Sequence, residues 1–316
     1  MSGVRNEAMT IVVPVKNRAT LVLRTLASIK AQTWRPLKVI VVDNGSTDGT
    51  PESVTGWIEA NSTDDFEVSL EREERPGAVA ARNAGLEAVE TRLMMFFDSD
   101  DIMHPGHVAS VMERFHADDQ PDLVCYRVRI HPIDAEDRIT KRPGSDWMMT
   151  HICHSLMRTQ GFACETALAR RSGGWDLGMR GWDDLEYGSR VLMEARSRAF
   201  IPDVNVEVYA QVDSITGTEF SSRQGEWEGV LDKMEENFAR SRQRRREKWI
   251  RGLAYKRVIL AAHYKKEKSH EAAAQLLEKA LAHPLLNGLQ RAYLRLAYRY
   301  TAIGGRGAAV LANLLL

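Results

Sequence analysis

The sequence predicts an α/β protein, with a doubly wound, mostly parallel sheet followed by an all-helical C-terminal extension. Three observations support this fold class. Short β-branched runs at residues 10–15, TIVVPV, and 37–43, LKVIVVD, enclose a helical pattern; together they take about 35 residues, the size of one βαβ unit. A third apolar run, at 91–98, ends in carboxylates. Beyond about residue 217 the pattern is helical almost throughout.

Each predicted element has its own pattern. The first two runs are continuously apolar, as in strands buried on both faces of a parallel sheet. Val22, Leu26 and Ile29 form one stripe of the helix between them. The later elements, in chain order, are a helix at 78–90, strands at 91–98 and 122–130, a helix at 182–196 and a helical pair at 269–284 and 286–300. These elements define three predicted regions: 1–105, 106–216 and 217–316.

Composition and charge favour an ordinary soluble protein. The 316 residues are 44% hydrophobic and 27% charged, and the net charge is zero, so no nucleic-acid partner is expected. Three cysteines at no paired spacing indicate a reducing compartment. We find no signal-peptide pattern and no apolar run of the ~18 residues that a membrane helix needs. We therefore expect a cytoplasmic protein, with peripheral contact at the inner membrane face as an option.

Carboxylates follow two of the predicted strands. Asp43 ends one strand, and Asp98 and Asp100 end another. Ligands of such sheets bind at the carboxyl ends of the strands. Asp98 and Asp100 are two residues apart, so their side chains reach the same side if the chain stays extended, and two carboxylates suit Mg²⁺ or Mn²⁺. The alternative is a solvated turn in which the Asp side chains bond the backbone.

Four segments resemble, in order, elements of GT-A glycosyltransferases of family 2. The stretch from IVVPVKNRAT to DNGSTDGT resembles the N-terminal segment of that family, and GAVAARNAGLEAV its A-R-N-x-G element. FFDSDD resembles its metal-binding DxD, and GGWDLGMRGWDDLEYGSRV is similar to its E-D motif. The resemblance covers about residues 10–215 and implies a Rossmann-like GT-A fold. It makes 1–105 the nucleotide-sugar half, 106–216 the acceptor and catalytic half, and leaves the helical region 217–316 uncovered.

The resemblance implies roles for residues of the donor half. Asp43 would accept hydrogen bonds from the nucleotide base, and Asp100 would be the principal ligand of Mn²⁺ or Mg²⁺. Asp98 would be shared between the ribose and the metal. The other donor-binding residues implied are Pro14 and Lys16 at the nucleoside, Arg82 and Asn83 at the phosphates, and Ser99. Simpler interpretations are a strand end for Pro14, and a salt bridge and a helix-polar contact for Arg82 and Asn83. Asp101 is interpreted as a cap for the segment after it.

The E-D motif implies a catalytic carboxylate. Asp184 matches the position of the general base, which takes a proton from the acceptor hydroxyl. Asp183 stands where the family usually has Glu, which keeps the charge but shortens the side chain that would contact the acceptor. The alternative for Asp183 is an acid at a helix start. Trp182 would be a flat platform for an acceptor sugar, with a core aromatic as the alternative.

Some expected features are missing. Many family members have a His after the base helix as a further metal ligand, whereas this chain has Gln211 or Asp213 nearby. HICH at 151–154 lacks a second cluster, which disfavours structural zinc. The basic run 240–249 is interpreted either as a solvated helix or as a contact with an anionic membrane.

The function expected is inverting transfer of a sugar from a nucleotide-diphospho-sugar, with a UDP-sugar favoured, to a hydroxyl acceptor. The acceptor expected is a lipid-linked surface glycan. A protein or peptide acceptor is the alternative, because the last helical pair resembles a protein-binding hairpin. A sugar-1-phosphate nucleotidyltransferase is disfavoured, since VPVKNRAT lacks its Gly-rich basic loop, and the absence of membrane spans favours a single-transfer enzyme over a polymerase.

Overall fold

The computed structural model describes residues 7–211 and 219–305, together with Ala312. These residues form two compact units, each assembled from separate stretches of chain. The first unit comprises 7–142, 157–178 and 194–211, and the second comprises 143–156, 179–193 and the described residues from 219 on. The predicted regions 1–105, 106–216 and 217–316 are contiguous blocks of sequence, and their boundaries stay a prediction.

The elements alternate in the first half of the chain. They are β1 (Met9–Val15), α1 (Leu21–Lys30), β2 (Leu37–Asp43), α2 (Thr50–Asn61), β3 (Phe66–Arg72), α3 (Ala78–Ala88), β4 (Leu93–Phe96), β5 (Ile102–Met103), α4 (His107–Phe115), β6 (Leu123–His131) and β7 (Arg138–Ile139). The second half contains α5 (Trp147–His154), β8 (Phe162–Glu165), α6 (Thr166–Arg171), α7 (Asp183–Glu194), β9 (Arg198–Tyr209), α8 (Gln224–Arg240), α9 (Arg246–Lys266), α10 (His270–Leu281) and α11 (Gly288–Ala302).

The first unit holds one mixed sheet. Its strand order is β3-β2-β1-β4-β8-β6-β9-β5, with β7 paired to β6. Strands β3, β2, β1 and β4 are parallel, β8 is antiparallel to β4 and β6, and β9 is parallel to β6. The predicted α/β fold with a mostly parallel N-terminal sheet and a helical C-terminal region is confirmed.

The core of this unit forms where the apolar runs predict it. All seven residues of β1 are buried, and the predicted stripe of α1, Val22, Leu26 and Ile29, is buried beside them. Helix α3 lies close to β1 at Gly85. A Cβ atom added to this glycine would stand only 2.3 Å from Cγ1 of Val12. The glycine is therefore needed for the helix to approach the sheet at this distance.

Several elements escape the sequence patterns, and α2, β3 and α5 show the reasons. Helix α2 begins inside the turn-rich stretch NGSTDGTPE, where Pro51 suits the first helical turn. Strand β3 lies at one end of the sheet with its last residues exposed, so it lacks a continuous apolar run. Helix α5 lies in a stretch for which the sequence predicts no element, and Asp146 caps it by accepting a hydrogen bond from the amide of Met149.

The second unit is helical. The interpretation of 240–249 as one helix is wrong, because α8 ends at Arg240 and α9 begins at Arg246. The basic run is a junction between these helices. Trp249 is buried, and its Nε1 atom donates to the Asp146 carboxylate. Within 7–211 and 219–305, no helix combines the length and apolar character that crossing a bilayer requires.

Candidate active site

The ends of β1 and β2 bring the predicted nucleoside residues together. In the register of these strands, Pro14 pairs with Val42 and Val15 pairs with Asp43. Pro14 is buried, and Lys16 is the first exposed residue after β1. Asp43 is only 4% exposed, and its carboxylate accepts a hydrogen bond from the amide of Ser46 at 3.2 Å. A carboxylate at the end of a buried parallel strand therefore stands next to the loop that carries Lys16.

The loops after β1 and β2 are joined by hydrogen bonds. The amide of Asn17, which has a φ of +52°, donates to Oγ of Ser46 at 2.9 Å, and Oδ1 of Asn17 accepts from the amide of Thr47 at 2.8 Å. The amide of Arg18 donates to Oγ1 of Thr50 at 2.9 Å. These contacts hold the Lys16 loop in one position relative to the loop after Asp43.

Asn44 organises a third loop, and the sequence reasoning missed it. It is 4% exposed, and its side-chain amide donates to the carbonyls of Glu73 and Arg75 at 2.9 and 2.7 Å. Its Oδ1 atom accepts from the amide of Gly77 at 2.7 Å. The Arg75 guanidinium lowers the pKa of Glu73 to about 2. The Asn-Gly pair directly after a buried strand was the available signal for this turn.

Asp98 is held by two partners in the first unit. Nη2 of Arg82 lies 3.0 Å from Oδ1 of Asp98, and the side chain of Gln160 donates to the other oxygen. The guanidinium of Arg82 also lies 4.6 Å from the ring centroid of Trp175. Arg82 and Asp98 were both predicted as site residues, and the structure brings them together. Gln160 follows 62 positions after Asp98, so no local pattern could indicate it.

Asn83, the next residue of α3, contacts the backbone of Trp175. Its Nδ2 atom donates to the carbonyl of Trp175 at 2.8 Å, and its Oδ1 atom accepts from the amide of Trp175 at 2.7 Å. Gly174 has a φ of +66°, and a Cβ there would lie 2.8 Å from Oδ1 of Asn83. Asn83 thus anchors the Gly-Gly-Trp turn, and its contact with donor phosphates stays a prediction.

The three carboxylates after β4 have different surroundings. Asp100 is half-buried, and Ser99 is buried. Asp101 is 1% exposed, and its Oδ1 atom accepts from the amide of Tyr209 on β9 at 2.9 Å. Burial, with the charges of Asp98 and Asp100, raises the pKa of Asp101 well above its ordinary range. Asp101 therefore ties the DxD loop to β9 instead of capping the segment that follows it.

The donor set at this loop fits a hard divalent cation. Within the described residues, no group of three or more His, Cys, Asp or Glu side chains could hold a metal ion. Asp98 and Asp100 supply only oxygen, and Oδ2 of Asp101 is buried without a hydrogen-bond partner among those residues. One or two carboxylates, completed by phosphate oxygens and water, are what Mg²⁺ usually takes. Gln211 hydrogen-bonds the Tyr209 carbonyl, and Asp213 lies outside the described residues.

In the second unit, Asp183 and Asp184 open α7, and both are half-buried. Trp182, just before them, has a φ of +49°, and its carbonyl accepts from the amides of Leu185 and Glu186. Acids in the first turn are stabilised as carboxylates by the helix dipole. The local chain therefore suits Asp184 to act as a base.

Trp182 belongs to an aromatic cluster of the second unit. Its ring lies 5.2 Å from that of Trp227 and 5.8 Å from that of Phe220, and Nζ of Lys256 lies 4.8 Å from its centroid. Since Trp182 is only half-buried, both interpretations of it, sugar platform and packed aromatic, keep a structural basis.

His151 of the HICH segment packs in the interior. It is fully buried, its Nε2 atom lies 2.9 Å from the carbonyl of Leu185, and burial lowers its pKa to about 4. His151 therefore has a packing role in the second unit.

Comparisons with known proteins agree with this geometry. Residues 10–175 match the sequence model of glycosyl transferase family 2. The chain is 29% identical over 207 residues to the pre-mycofactocin glycosyltransferase of Mycobacterium tuberculosis, a match that covers 62% of this chain and 41% of that protein. It is 34% identical over 109 residues to the succinoglycan biosynthesis protein ExoO of Rhizobium meliloti, covering 34% of this chain and 30% of that one. The chain thus spans less than half the length of these curated relatives.

Solved structures show the same fold at low sequence identity. TarS 1-349 of S. aureus, in complex with UDP-GlcNAc, matches with a TM-score of 0.71 at 15% identity, covering 97% of this chain and 92% of that one. A mannosyltransferase from Pyrobaculum calidifontis, in complex with GDP-Man and Mn²⁺, matches with a TM-score of 0.54 at 21% identity, covering 96% and 86%. Because the family match spans more than half of the 316 residues, the chain belongs to glycosyl transferase family 2, and its fold is GT-A.

Proposed function

We propose that this protein is a metal-dependent, inverting glycosyltransferase that moves a sugar from a nucleotide-diphospho-sugar to a hydroxyl acceptor. The observation that carries the proposal is the Asp98 carboxylate, held by Arg82 and Gln160 at the end of β4 and followed by half-buried Asp100. β1, β2 and β4 are parallel, so Asp43 and these two carboxylates lie at the same edge of the sheet. A nucleotide diphosphate binds at such an edge.

The donor is proposed to be a UDP-sugar. Two structures with this fold were solved with UDP-GlcNAc and GDP-Man, which supports a nucleotide-sugar donor. Asp43 would accept hydrogen bonds from N–H groups of the base, with Pro14 and Lys16 lining the nucleoside pocket. Arg82, Asn83 and Ser99 would lie near the ribose and phosphates. The guanidinium of Arg82 already offsets the charge of Asp98 and so lowers the cost of bringing a dianionic diphosphate to this loop.

The cation is proposed to be Mn²⁺ or Mg²⁺, with Asp100 as the principal ligand and Asp98 as a shared one. When bound, such an ion stabilises the negative charge of the departing diphosphate. The chain's own contribution is to fix the loop. Tyr209 donates to Asp101, and Oγ1 of Thr25 donates to the carbonyl of Asp101 at 2.8 Å, so the residue after Asp100 is anchored on both its side chain and its backbone.

The base is proposed to be Asp184. In an inverting transfer, the acceptor oxygen bonds to the anomeric carbon while the nucleotide diphosphate leaves with the electron pair of the broken bond. Asp184 would take the hydroxyl proton, as general base catalysis requires. Asp183 and Trp182 would position the acceptor.

A growing glycan on a lipid carrier is the proposed acceptor. The similarity to a succinoglycan biosynthesis protein supports a glycan acceptor. A protein or peptide acceptor is the second candidate, because α10 and α11 form a helical pair that could bind a polypeptide. The nucleotidyltransferase alternative loses its support, since the chain belongs to a glycosyltransferase family.

A thermal-shift panel of UDP-, GDP- and dTDP-sugars, with and without Mn²⁺, tests the donor. A ligand at about 100 times its Kd stabilises the folded state by about 2.7 kcal/mol, which gives a measurable rise in Tm. We expect a Mn²⁺-dependent rise with UDP-sugars. No rise with any nucleotide sugar would remove the proposed function.

A further inference from the structure

Helix α11 carries an exposed apolar face. Six large hydrophobic side chains are exposed within the described part of the chain, and four of them lie on or directly after this helix. Leu289 is 67% exposed, Leu296 63%, Tyr300 45% and Ile303 85%. Their spacings of seven, four and three residues place them on one side of the helix.

An adjacent side of α11 is packed. Tyr293, Leu294 and Ala297 are buried, and the ring of Tyr293 stacks on that of Tyr255 of α9 at 6.3 Å. The exposed side chains are therefore not needed for the packing of the helix. They form a second apolar surface on a helix whose first apolar surface is already packed.

The charged side chains of α11 are all cationic. Helix α11 contains Arg291, Arg295 and Arg299 and no acidic residue. In the whole sequence, 43 basic residues balance 43 acidic ones, yet no Asp or Glu follows Glu278. Arg295 and Arg299 are exposed, whereas Arg291 donates to the carbonyls of Leu281 and His283.

A groove runs beside this face. It has a volume of about 480 Å³ and lies between α10 and α11. Leu277, Leu281 and Ala274 give it apolar walls, and Arg295 and Glu278 lie at its polar sides. The Glu278 carboxylate is the acidic group at this groove, and it belongs to α10.

We propose that α11 docks on an anionic bilayer surface. Leu289, Leu296 and Ile303 would insert at the level of the headgroups, as the apolar face of an interfacial helix does. Arg295 and Arg299 would extend to the lipid phosphates, each attracted by the negative surface potential. Tyr300 suits the boundary between apolar and aqueous layers.

This inference rests on the proposed function, because a lipid-linked acceptor lies at a membrane. It assigns the membrane contact to α11 and not to the basic run 240–249. The junction between α8 and α9 exposes Arg242, Arg244 and Arg246, but the hydrophobic residues beside it, Trp249 and Ile250, are buried. The junction therefore presents cations beside buried apolar side chains, whereas α11 presents cations together with exposed apolar side chains that could insert.

A second copy of the chain is the competing occupant of this face. Most homodimers have two-fold symmetry, which sets the same patch against itself. Arg295 and Arg299 of both copies would then meet like charges with no acid on either helix to pair with them. The charge pattern therefore favours lipid over self-association.

Sedimentation of the full chain with vesicles tests the proposal. The vesicles are phosphatidylcholine alone or phosphatidylcholine with phosphatidylglycerol. Wild type should bind only the anionic vesicles. Leu296→Gln with Ile303→Gln, and separately Arg295→Gln with Arg299→Gln, should each lower partitioning by about tenfold or more. These side chains are exposed, so the variants should keep the wild-type Tm.

Two matched controls remove side chains of the same kinds at other exposed positions. Ile133→Gln removes an aliphatic side chain that is 55% exposed, and Arg242→Gln with Arg244→Gln removes two exposed cations of the basic run. Both should bind vesicles as wild type does. The proposal is overturned if wild type ignores anionic vesicles, or if the control at 242 and 244 loses binding while the α11 variants keep it. It is equally overturned if ultracentrifugation finds a dimer that Leu296→Gln with Ile303→Gln converts to monomer.

The donor measurement separates this proposal from the proposed function. Nucleotide-sugar stabilisation is read without vesicles. Vesicle binding without donor stabilisation would remove glycosyl transfer and leave the docking surface intact, and the reverse result would remove only the docking surface.

Discussion

Asp98 and Asp100 stand two positions apart, and the structure gives each a different environment. Asp98 is engaged by Arg82 and Gln160, whereas Asp100 is half-buried at the loop surface. At the scale of single residues, the two carboxylates of the DxD therefore differ. Asp98 is fixed in place by two partners, and Asp100 is the principal metal ligand that we propose.

Asp100→Asn therefore tests the metal assignment most directly. The amide keeps the shape and removes the charge, so Mn²⁺-dependent binding of a UDP-sugar should weaken by at least about tenfold in calorimetry. Tm without ligand should change little, because the side chain is half-buried. Equal affinity with and without Mn²⁺ in wild type would contradict the assignment.

Asp184→Asn tests the base. We expect the variant to keep its donor-induced rise in Tm and to lose kcat by about 10² to 10⁴, the usual contribution of general base catalysis. Asp183→Asn is the matched control, since it removes the neighbouring charge from the same helix turn. A loss of kcat in Asp183→Asn that equals the loss in Asp184→Asn would contradict the distinction between them.

At the scale of elements, α3 approaches β1 closely at Gly85. Gly85→Ala would place a Cβ 2.3 Å from Cγ1 of Val12, inside a fully buried strand. We expect the free energy of unfolding to fall by about 1–3 kcal/mol. Gly229→Ala in α8 is the control, because its Cβ meets nothing within 4 Å, and Ala there should stabilise the helix by about 0.5–1 kcal/mol. Urea titration measures both, and a neutral Gly85→Ala would contradict the packing argument.

Elements with continuous apolar runs could be predicted from the sequence, and elements defined by distant partners could not. β2 was predicted at 37–43 and is observed there, because a strand buried on both faces needs an uninterrupted run. β3 pairs only with β2 and exposes Glu71 and Arg72, so its pattern weakens. In the site, Asp98 and Arg82 came from motif resemblance. Gln160 was missed because a contact across 62 residues leaves no local pattern. Asn44 was missed although the Asn-Gly pair after β2 indicates a turn, because its partners lie about 30 residues away.

At the scale of the whole molecule, the units are not contiguous in sequence. Strand β8 returns to pair with β4 in the first unit, while α5, which precedes it, belongs to the second. Regions defined by changes in composition are contiguous in sequence. They therefore cannot show that a later strand packs back into an earlier unit. This explains why the predicted regions remain a description of the sequence alone.

The pH dependence of global stability is a further property of the whole molecule. His107 at the start of α4 is 2% exposed, and burial lowers its pKa from 6.5 to about 3. Between these values the unfolded chain binds a proton that the folded protein does not. The contribution of His107 to stability is therefore present above pH 6.5 and is lost as the pH falls toward 3, at about 1.4 kcal/mol per pH unit.

His107→Phe should flatten that slope. Phenylalanine retains an aromatic ring against Tyr126, whose ring centroid lies 4.4 Å from that of His107, but it cannot take up a proton. The difference between wild type and variant isolates His107, since all other titrating groups cancel. Urea titrations from pH 7 to pH 5 give the measurement, and an unchanged slope would contradict the burial argument.

The turn that Asn44 organises has a chemical consequence beyond binding. Asn44 precedes Gly45, and an Asn-Gly pair can cyclise when the glycine amide attacks the side-chain carbonyl and expels ammonia. In the folded protein the Asn44 amide is committed to the carbonyls of Glu73 and Arg75, which restrains it from reaching that geometry. Partial unfolding releases it, and the aspartate or isoaspartate formed cannot donate those bonds again. Each molecule that deamidates at Asn44 during storage therefore loses the bonds that hold the third loop beside Asp43.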